Sequence, residues 1–398
     1  MKILSVNCGS SSLKFSVYEM PEEKLLASGV FDRVTIGGGY YKININGEKI
    51  YKDVDLPDHN VAFEMLKNKL LELNVIKSFD EIRGVGHRVV QGADHYDKSV
   101  IVTDEIVDDI RSLAPLAPLH NPAAILGITA ARNAMPNAVH VVIFDTAFHQ
   151  TMEPRKFLYA VPYDWYKKYN VRKYGAHGTS HKYIANYMEG VLNSKKSRLI
   201  ICHIGNGASI SAVKDGKVVD TSMGFTPNSG LIMGTRTGDM DASIIPYMME
   251  NAQLSARDID TIINKSSGLL GISGKSDMRD VREGAEAGDK ECRLALDMYV
   301  DRIVSYIAMY YFELEGCDAI VFTAGVGENN AMTRKEVLEK LKFIGVQIDD
   351  KQNEIIAGFK DIHEGKITLD TSSIPVYVIP TNEEIMMARD VMKLQKRV

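Results

Sequence analysis

The stretch Val6–Val17 reads VNCGSSSLKFSV, and the predicted fold is organised around it. The apolar run Ile3–Val6 predicts a buried strand, and alternating apolar residues from Lys14 to Tyr18 predict a second one. The glycine and serines between them predict a hairpin turn whose backbone N–H groups can cradle an anion, with Lys14 adding positive charge. Taken alone, the stretch is better explained as an ordinary hairpin with a polar turn.

A second unit of the same kind occurs in the other half of the chain. Arg198–Ile204 predicts a strand, the Asn-Gly pair at 206–207 a tight turn, and Ile210–Val213 the returning strand. Lys217–Asp220 then predicts a third strand, as Leu25–Gly29 does after the first hairpin. Both halves therefore open in the same way, which predicts an internal duplication with two phosphate-holding hairpins facing each other across a cleft.

Length and composition are those of an ordinary globular chain. The 398 residues exceed what one core usually holds, so two domains are expected. The net charge of −5 provides no bulk attraction for nucleic acid or an acidic membrane. No membrane-length apolar run and no signal peptide are evident, so a cytoplasmic location is expected. The 4 cysteines lack metal-type spacing and are interpreted as thiols of a reducing compartment.

Helical and strand patterns alternate along the rest of the chain. Helices are predicted at Asn60–Leu73, Ile106–Leu113, Pro122–Met135, Lys182–Glu189, Lys290–Glu315 and Glu383–Leu394, and further strands at Val139–Phe144, Asp318–Thr323 and Val376–Pro380. The segment Ile82–Val90 is predicted to be a strand in its first part and to enter a loop in its second. Asn121 is expected to cap the helix at Pro122, and Thr179 or Ser180 the helix near Lys182. The apolar stripe of the long helix is expected to be core and comprises Leu294, Leu296, Met298, Ile303, Ile307 and Met309.

Candidate chemical groups lie where strands end and glycine-rich loops begin. Arg88 lies at the end of an apolar run, and Asp145 directly follows a strand, where α/β sheets commonly place ligands; a turn or cap role is the alternative for Asp145. Arg236 lies in the glycine-flanked segment 234–238, although a surface arginine on a flexible loop is the competing interpretation. Gly325–Asn329 follows a strand and forms a Gly-x-Gly turn typical of a phosphate cradle.

A zinc site and a nucleophilic triad are both disfavoured. His177 and His181 are four apart, but the glutamate of a zincin motif is missing and Gly178 places His177 outside the helix. Nothing resembles a Ser/His/Asp or Cys/His set. Arginines beside phosphate cradles suit phosphoryl transfer, where catalysis is mostly positioning and charge neutralisation.

A series of motifs resembles the acetate kinase family over nearly the whole chain. They are Asn7–Lys14 (NCGSSSLK), His87–Val90 (HRVV), Phe144–His149 (FDTAFH), His177–His181 (HGTSH), His203–Gly207 (HIGNG), Gly234–Asp239 (GTRTGD), Gly325–Asn329 (GVGEN) and Thr381–Glu384 (TNEE). The resemblance implies an α/β fold of two duplicated βββαβαβα domains, as in actin, Hsp70 and ribonuclease H-like proteins, around a nucleotide cleft. It implies an N-terminal domain at 1–150, completed by the C-terminal helix at 384–398, and a nucleotide-binding domain at 151–383.

The resemblance also implies a reaction and its partners. The expected reaction is reversible phosphoryl transfer from ATP to acetate, giving acetyl phosphate and ADP by direct in-line attack of the carboxylate. Mg²⁺ is the implied cofactor, for which Mn²⁺ can substitute, and a homodimer is implied, with no nucleic-acid or membrane partner. Two alternatives stay open: a propionate- or butyrate-type short-chain carboxylate kinase, and a non-enzymatic ATP-binding switch of the Hsp70 or actin kind.

The motif match carries over individual roles. Arg88 would hold the carboxylate, Asp145 would be the active-site carboxylate, and both His177 and Arg236 would stabilise the transferring phosphoryl group. The metal would lie at Asn7 and Glu383, with Glu384 as the alternative to Glu383. The nucleotide would be held by Lys14, His203, Ile204, Gly205, Asn206, Gly207, Asp277, Met278, Arg279, Gly325, Val326, Gly327, Glu328 and Asn329. A carboxylate substrate with a pKa of about 4 is already ionised at pH 7, so Asp145 is interpreted as positioning metal, water or Arg88, not as a general base.

The chain departs from the family pattern at Ala176. Family members usually carry Phe before the motif histidine. The acyl pocket implied by the match comprises Val90, Leu119, Ala176 and Pro227. Loss of a ring leaves room for propionate or larger acids, unless a neighbouring side chain fills the space. Apolar pockets discriminate one methylene by only about 1–3 kcal/mol, so a preference is predicted and not a switch.

Overall fold

The structure is a computed structural model that describes residues 1–118, 120–357 and 363–396. The chain divides into two compact units, the first comprising Met1–Gln150 with Asn382–Val398 and the second Thr151–Thr381. The later boundary falls between 381 and 382, whereas the sequence prediction placed it between 383 and 384. Glu383 therefore belongs to the first unit, with the helix that it begins. Residues 397 and 398 of the predicted segment 384–398 lie outside the described residues.

The first unit is built on one mixed sheet. Its strands are β1 (Lys2–Gly9), β2 (Ser12–Glu19), β3 (Lys24–Asp32), β4 (Tyr40–Ile45), β5 (Glu48–Asp53), β6 (Ile82–Val89), β7 (Val100–Ile101) and β8 (Val139–Phe144). They are ordered β5-β4-β3-β2-β1-β6-β8-β7. Its helices are α1 (His59–Glu72), α2 (Asp104–Ser112), α3 (Asn121–Ala134) and the C-terminal helix, Glu383–Gln395. The predicted hairpin is confirmed, because β1 and β2 pair antiparallel with Asn7 opposite Lys14.

A glycine on β6 lets the C-terminal helix pack closely on this sheet. A Cβ at Gly84 would lie 2.4 Å from Cγ1 of Val391, so a larger residue would push the helix away. An ideal Cβ at Gly86 would lie 3.1 Å from Cγ2 of the same valine. The helix contacts β1, β6 and β8, which fixes its first residue, Glu383, near the ends of these strands.

The second unit contains a smaller mixed sheet and most of the helices. Its strands are β9 (Arg198–Ile204), β10 (Ala208–Lys214), β11 (Lys217–Thr221), β12 (Ala319–Thr323), β13 (Gly365–Lys366) and β14 (Val376–Val378), ordered β11-β10-β9-β12-β14-β13. Its helices are α4 (Pro154–Phe157), α5 (Tyr163–Tyr169), α6 (Gly178–Val191), α7 (Ile244–Asn251), α8 (Ala256–Lys265), α9 (Gly268–Ser273), α10 (Met278–Glu286), α11 (Lys290–Glu313), α12 (Ala324–Asn329), α13 (Ala331–Lys340) and α14 (Asp350–Ile355). Short 3₁₀ turns occur at Phe79–Glu81, Ala114–Leu116, Ala147–Thr151 and Lys342–Ile344.

The two sheets repeat one topology, which confirms the predicted duplication. The order β3-β2-β1-β6-β8 in the first unit matches β11-β10-β9-β12-β14 in the second. In each case three antiparallel strands are followed by two strands that run parallel to the first strand of the unit. The fold is therefore α/β with two similar units. None of the helices in the described ranges is both long and apolar enough to cross a bilayer.

Two predicted helix caps are wrong, because the polar side chains serve tertiary contacts instead. Asn121 is the first residue of α3, and its buried side chain bonds the backbone N–H and carbonyl of Gln91 at 3.2 and 3.0 Å. The helix predicted near Lys182 begins earlier, at Gly178, and Ser180 lies inside it. The Ser180 hydroxyl bonds Nδ1 of His203.

The apolar stripe of α11 is only partly core. Leu296, Ile303 and Ile307 are buried, as predicted. Leu294, Met298 and Met309 are 52%, 41% and 46% exposed and lie on a different face of the helix. A helix of this length shows several faces, and apolar type alone does not say which of them meets the core.

Candidate active site

One group of predicted site residues converges at the strand ends of the first unit. Because β6 and β8 run parallel with Val89 beside Phe144, Arg88 and Asp145 leave the sheet at the same edge. Nη2 of Arg88 donates to Oδ2 of Asp145 at 2.5 Å, and Asp145 is fully buried. The guanidinium is therefore held by a carboxylate at a fixed position.

Glu383 adds a carboxyl group at the start of the C-terminal helix. Its Oε2 lies 3.9 Å from Nε of Arg88. Burial raises the pKa of Glu383 to about 7, and the charges of Asp145 and Glu384 act in the same direction. The charges of Arg88 and Lys14 oppose this rise. Burial alone would lower the pKa of Arg88, but the surrounding carboxylates outweigh it and raise that pKa.

The same edge carries the residues predicted to hold a metal. Ser5 on β1 donates its hydroxyl to the carbonyl of Glu384 at 2.8 Å, and Asn7 projects from the same strand face. Within the described residues, no three His, Cys, Asp or Glu side chains form a metal cluster. Magnesium commonly takes only one or two carboxylates, with waters and substrate phosphates as its other ligands. Glu383, whose ionised form is disfavoured by burial, fits such an open site, because a cation would offset that penalty.

A second group converges around Gly207 in the second unit. An ideal Cβ at Gly207 would lie 3.6 Å from Nη1 of Arg236 and 3.7 Å from Nε2 of His177. The two nitrogens therefore face the same space over one glycine. His177 precedes α6 in the left-handed conformation, with φ 59°, and its ring stacks on His203 with centroids 4.1 Å apart.

Two buried serines hold these stacked rings. Oγ of Ser209 lies 2.9 Å from Nδ1 of His177 and 2.8 Å from Nε2 of His181. Oγ of Ser180 lies 2.8 Å from Nδ1 of His203. Both stacked rings are thus held through Nδ1.

The guanidinium of Arg236 forms no ion pair with the described residues of its own unit. Its Nη1 donates to the carbonyl of Pro227 at 3.2 Å, and no carboxylate in the described part of the chain forms an ion pair with it. Burial lowers the pKa of Arg236. The loop is braced by Asp239, which accepts hydrogen bonds from the N–H of Gly230 at 2.7 Å and the hydroxyl of Tyr306 at 2.5 Å. A half-buried cation without a counterion is well suited to bind a substrate anion.

A cavity of about 470 Å³ lies beside this group in the second unit. It is lined by predicted nucleotide-binding residues, namely Gly205, Asn206, Asp277, Met278, Arg279, Gly325, Val326 and Asn329. Sequence reasoning missed further lining residues, namely Gly234, Leu269, Ser276, Tyr299 and Asn330. Asp277 caps the start of α10, and Nε and Nη2 of Arg279 donate to its carboxylate at 3.0 and 2.7 Å. These hydrogen bonds lower the pKa of Asp277 to about 2.

The other predicted nucleotide-binding residues do not line the cavity. Ile204 is buried in the core, and Gly327 is buried within α12. His203 and Gly207 belong to the histidine–arginine group, and Lys14 belongs to the first unit. Glu328 points inward, where its Oε1 accepts the N–H of Ala324 at 2.6 Å and that of Thr381 at 3.1 Å.

Sequence reasoning also missed a buried arginine that braces the cavity. Arg334 on α13 is fully buried, and its Nη1 donates to the carbonyls of Gly327 and Glu328 at 2.9 and 2.8 Å. It also bonds Asn353, twice, and the carbonyl of Ile356. Burial lowers its pKa to about 10. A single arginine in a polar helix gives no sequence signal for this role.

The predicted acyl-pocket residues are distributed over both units. Val90 is half-buried in the first unit, and Pro227 is half-buried in the second. Ala176 is 4% exposed and packs in the hydrophobic core of the second unit. Leu119 lies outside the described residues.

The Gly-x-Gly segment predicted as a turn lies instead within α12, because the helix begins at Ala324, directly after β12. The repeated sheet topology, with β12 running into this glycine-rich helix beside a cavity, defines the class that includes actin, Hsp70 and the sugar kinases. Within this class the chain belongs to the acetokinase family, whose model matches residues 2–389. It is 48% identical over 396 residues to an acetate kinase of Bacillus cytotoxicus, covering 99% of this chain and 98% of that one. The acetate kinase of Anoxybacillus flavithermus is 49% identical over 396 residues, with the same coverage of both chains.

Solved structures agree with this assignment. The acetate kinase of Porphyromonas gingivalis superposes with a TM-score of 0.93 at 42% identity, over 99% of both chains. A propionate kinase of Francisella tularensis superposes with a TM-score of 0.92 at 40% identity, covering 98% of this chain and 99% of that chain.

Proposed function

We propose that this protein transfers the γ-phosphoryl group of ATP to the carboxylate of acetate, giving acetyl phosphate and ADP, and that the reaction is reversible. The observation that carries the proposal is the convergence of Arg236 and Nε2 of His177 over Gly207. Among the described residues the guanidinium has no ion-pair partner, and the ring nitrogen beside it can donate a hydrogen bond. Such a pair suits the charge that a transferring phosphoryl group spreads over its oxygens.

The chemical difficulty of the reaction is repulsion between two anions. The acid is already ionised at pH 7, so no general base is needed and the side chains supply charge neutralisation and alignment. Arg88 binds the carboxylate, and Asp145 holds its guanidinium in place through the 2.5 Å hydrogen bond. Arg236 and His177 stabilise the phosphoryl oxygens. The cavity beside them accommodates the nucleotide.

Asn7 and Glu383 would hold the magnesium ion, with Glu384 as the alternative ligand. When bound, magnesium neutralises phosphate charge and orients the phosphates. The support from this chain is the acidic strand-edge group, in which burial raises the pKa of Glu383 and a bound cation would stabilise its ionised form. Manganese is expected to substitute, because it prefers the same oxygen ligands.

The reverse reaction provides a direct test. The protein is incubated with acetyl phosphate, ADP and magnesium, and ATP formation is followed by luminescence. We expect ATP to form in proportion to enzyme concentration and to stop when magnesium is chelated. Absence of ATP formation by folded protein would contradict the proposal.

Propionate is the second candidate substrate. Two observations favour it: the similarity to a protein described as a propionate kinase, and the small side chain at Ala176. One extra methylene is worth about 1–3 kcal/mol in an apolar pocket, so both acids are expected to react at different rates.

A homodimer is proposed from the surface of the second unit. No residue of α7 is buried, and two of its large apolar side chains, Ile244 and Tyr247, are 46% and 62% exposed. Exposed apolar faces of this kind are typical of subunit interfaces.

A cytoplasmic location is proposed because Cys8, Cys202, Cys292 and Cys317 are all free thiols, as in reducing compartments.

A further inference from the structure

The hydroxyl of Ser209 lies between two histidines, and its single proton can serve only one of them. Oγ is 2.9 Å from Nδ1 of His177 and 2.8 Å from Nε2 of His181, both within hydrogen-bond range. A hydroxyl donates one hydrogen bond and accepts up to two. At least one of the two ring nitrogens must therefore carry a proton, and the two rings are coupled through the serine.

For a neutral His177 ring, the direction of this hydrogen bond decides what Nε2 presents. If Ser209 donates to Nδ1, the ring proton lies on Nε2, on the side facing Gly207 and Nη1 of Arg236. If Nδ1 instead donates to Ser209, Nε2 presents a lone pair. A lone pair would repel phosphoryl oxygens, whereas an N–H would bind them.

We propose that Ser209 is a positioning residue that fixes His177 in the Nε2–H form, with His181 supplying the donor that Ser209 needs. His181 donates a hydrogen bond from Nε2 to Oγ of Ser209, and the Ser209 hydroxyl donates its own hydrogen bond to Nδ1 of His177. Because Oγ of Ser209 accepts the hydrogen bond from His181, its own hydrogen is left to point at Nδ1 of His177. This inference rests on the proposed function for its effect on turnover, but the protonation of the ring does not.

Burial makes this arrangement persistent. Ser209 and His181 are both 0% exposed, so water does not compete for these bonds. The His177 ring is further held by stacking on His203, at an interplanar angle of 25°. A hydrogen bond from a fixed partner of this kind sets the tautomer of a histidine and its orientation.

The wild-type protein tests the proposal without any substrate. In protein labelled with ¹⁵N-histidine, the protonated and bare nitrogens of a neutral imidazole have different chemical shifts. The His177 signals are assigned by their loss in His177→Ala. We expect Nε2 to be protonated and Nδ1 bare. The opposite pattern would overturn the proposal, and either result stands whatever the protein catalyses.

Variants then test the effect on turnover. In Ser209→Ala we expect His177 to become a mixture of tautomers and kcat to fall about 10- to 100-fold. Mutating the residue that fixes the orientation of a metal-binding histidine has an effect of this size. The KM values for both substrates should stay near those of the wild type. Ser211→Ala is the matched control, because Ser211 is equally buried on β10 and its hydroxyl bonds Thr221 at 2.9 Å instead. An unchanged tautomer and unchanged kcat in Ser209→Ala would refute the role. If this variant does not fold, the wild-type spectrum alone decides.

Discussion

Replacing Arg236 with alanine should abolish most turnover while leaving the fold intact. In the described part of the chain the guanidinium has no ion-pair partner and gives one hydrogen bond to an oxygen, the carbonyl of Pro227, and a weak one to the sulfur of Met233. Losing the bond to Pro227 costs about 1 kcal/mol, partly offset because a half-buried charge is removed. Arginines that stabilise a transferring phosphoryl group contribute at least about a thousandfold to kcat, equivalent to about 4 kcal/mol of transition-state stabilisation.

The assay compares kcat, the KM for ATP and thermal unfolding of Arg236→Ala with the wild type. The KM for ATP should change little, because Arg236 does not line the nucleotide cavity. Arg293→Ala is the control: this arginine belongs to the same unit, is 45% exposed and pairs with Asp297 on the surface. Its kcat should be that of the wild type. A folded Arg236→Ala protein that keeps more than about a tenth of wild-type kcat would refute the phosphoryl-binding role.

Three further perturbations test other parts of the structure. Gly207→Ala should fold normally, because its Cβ would lie 3.6 Å or more from Arg236 and His177. Its kcat should nevertheless fall about a hundredfold, because the methyl group enters the space proposed for the phosphoryl group. Gly190→Ala, whose Cβ meets nothing within 4 Å, is the control, and equal kcat in both variants would argue against a phosphoryl site over Gly207. Arg334→Met should lower the free energy of unfolding by about 3 kcal/mol or more in urea titrations, since buried acceptors lose their donor, and a loss below about 1 kcal/mol would contradict this. Burial lowers the pKa of both His87 and His140, whose ring nitrogens Nε2 and Nδ1 lie 3.0 Å apart. Below about pH 6.5, the approximate pKa of a histidine in the unfolded chain, these rings therefore bind more protons in the unfolded state than in the folded state. The free energy of unfolding should then fall on acidification by up to about 1.4 kcal/mol per pH unit for each ring. In His87→Asn the fall in stability between pH 7.5 and 5.5 should be shallower than in the wild type, and an equal slope would count against the buried pair.

Local patterns allowed much of the fold to be predicted. The hairpins around Gly9 and Gly207 depend on adjacent residues, and both form where turn chemistry placed them. The helix predicted to start at Glu383 begins at that residue, and Oδ1 of Asn382 before it accepts the N–H of Ile385 at 2.9 Å. Asn121 and Ser180 show where local reasoning fails: the same side chains that cap helices also bridge distant segments, and only the tertiary structure decides between these roles.

The candidate site was predictable as a set of residues but not as an arrangement. Arg88 and Asp145 stood out because each lies at the end of a strand, and parallel pairing brings them together. Ser209 and Arg334 gave no signal, since their importance arises from contacts with residues far away in sequence. Burial of Arg334 in particular reverses the usual expectation for a charged residue in a polar helix.

Trapping the acyl phosphate with hydroxylamine shows whether the protein phosphorylates a carboxylate. The protein is incubated with ATP, magnesium and hydroxylamine in the presence of acetate, propionate or butyrate, and the acyl hydroxamate is measured by colour. We predict a strong signal with acetate, and a propionate signal close to that of acetate would support the prediction that Ala176 leaves room in the acyl pocket. If protein that still binds ATP gives no hydroxamate with any of the three acids, the protein is not a short-chain carboxylate kinase and a nucleotide-dependent switch is favoured.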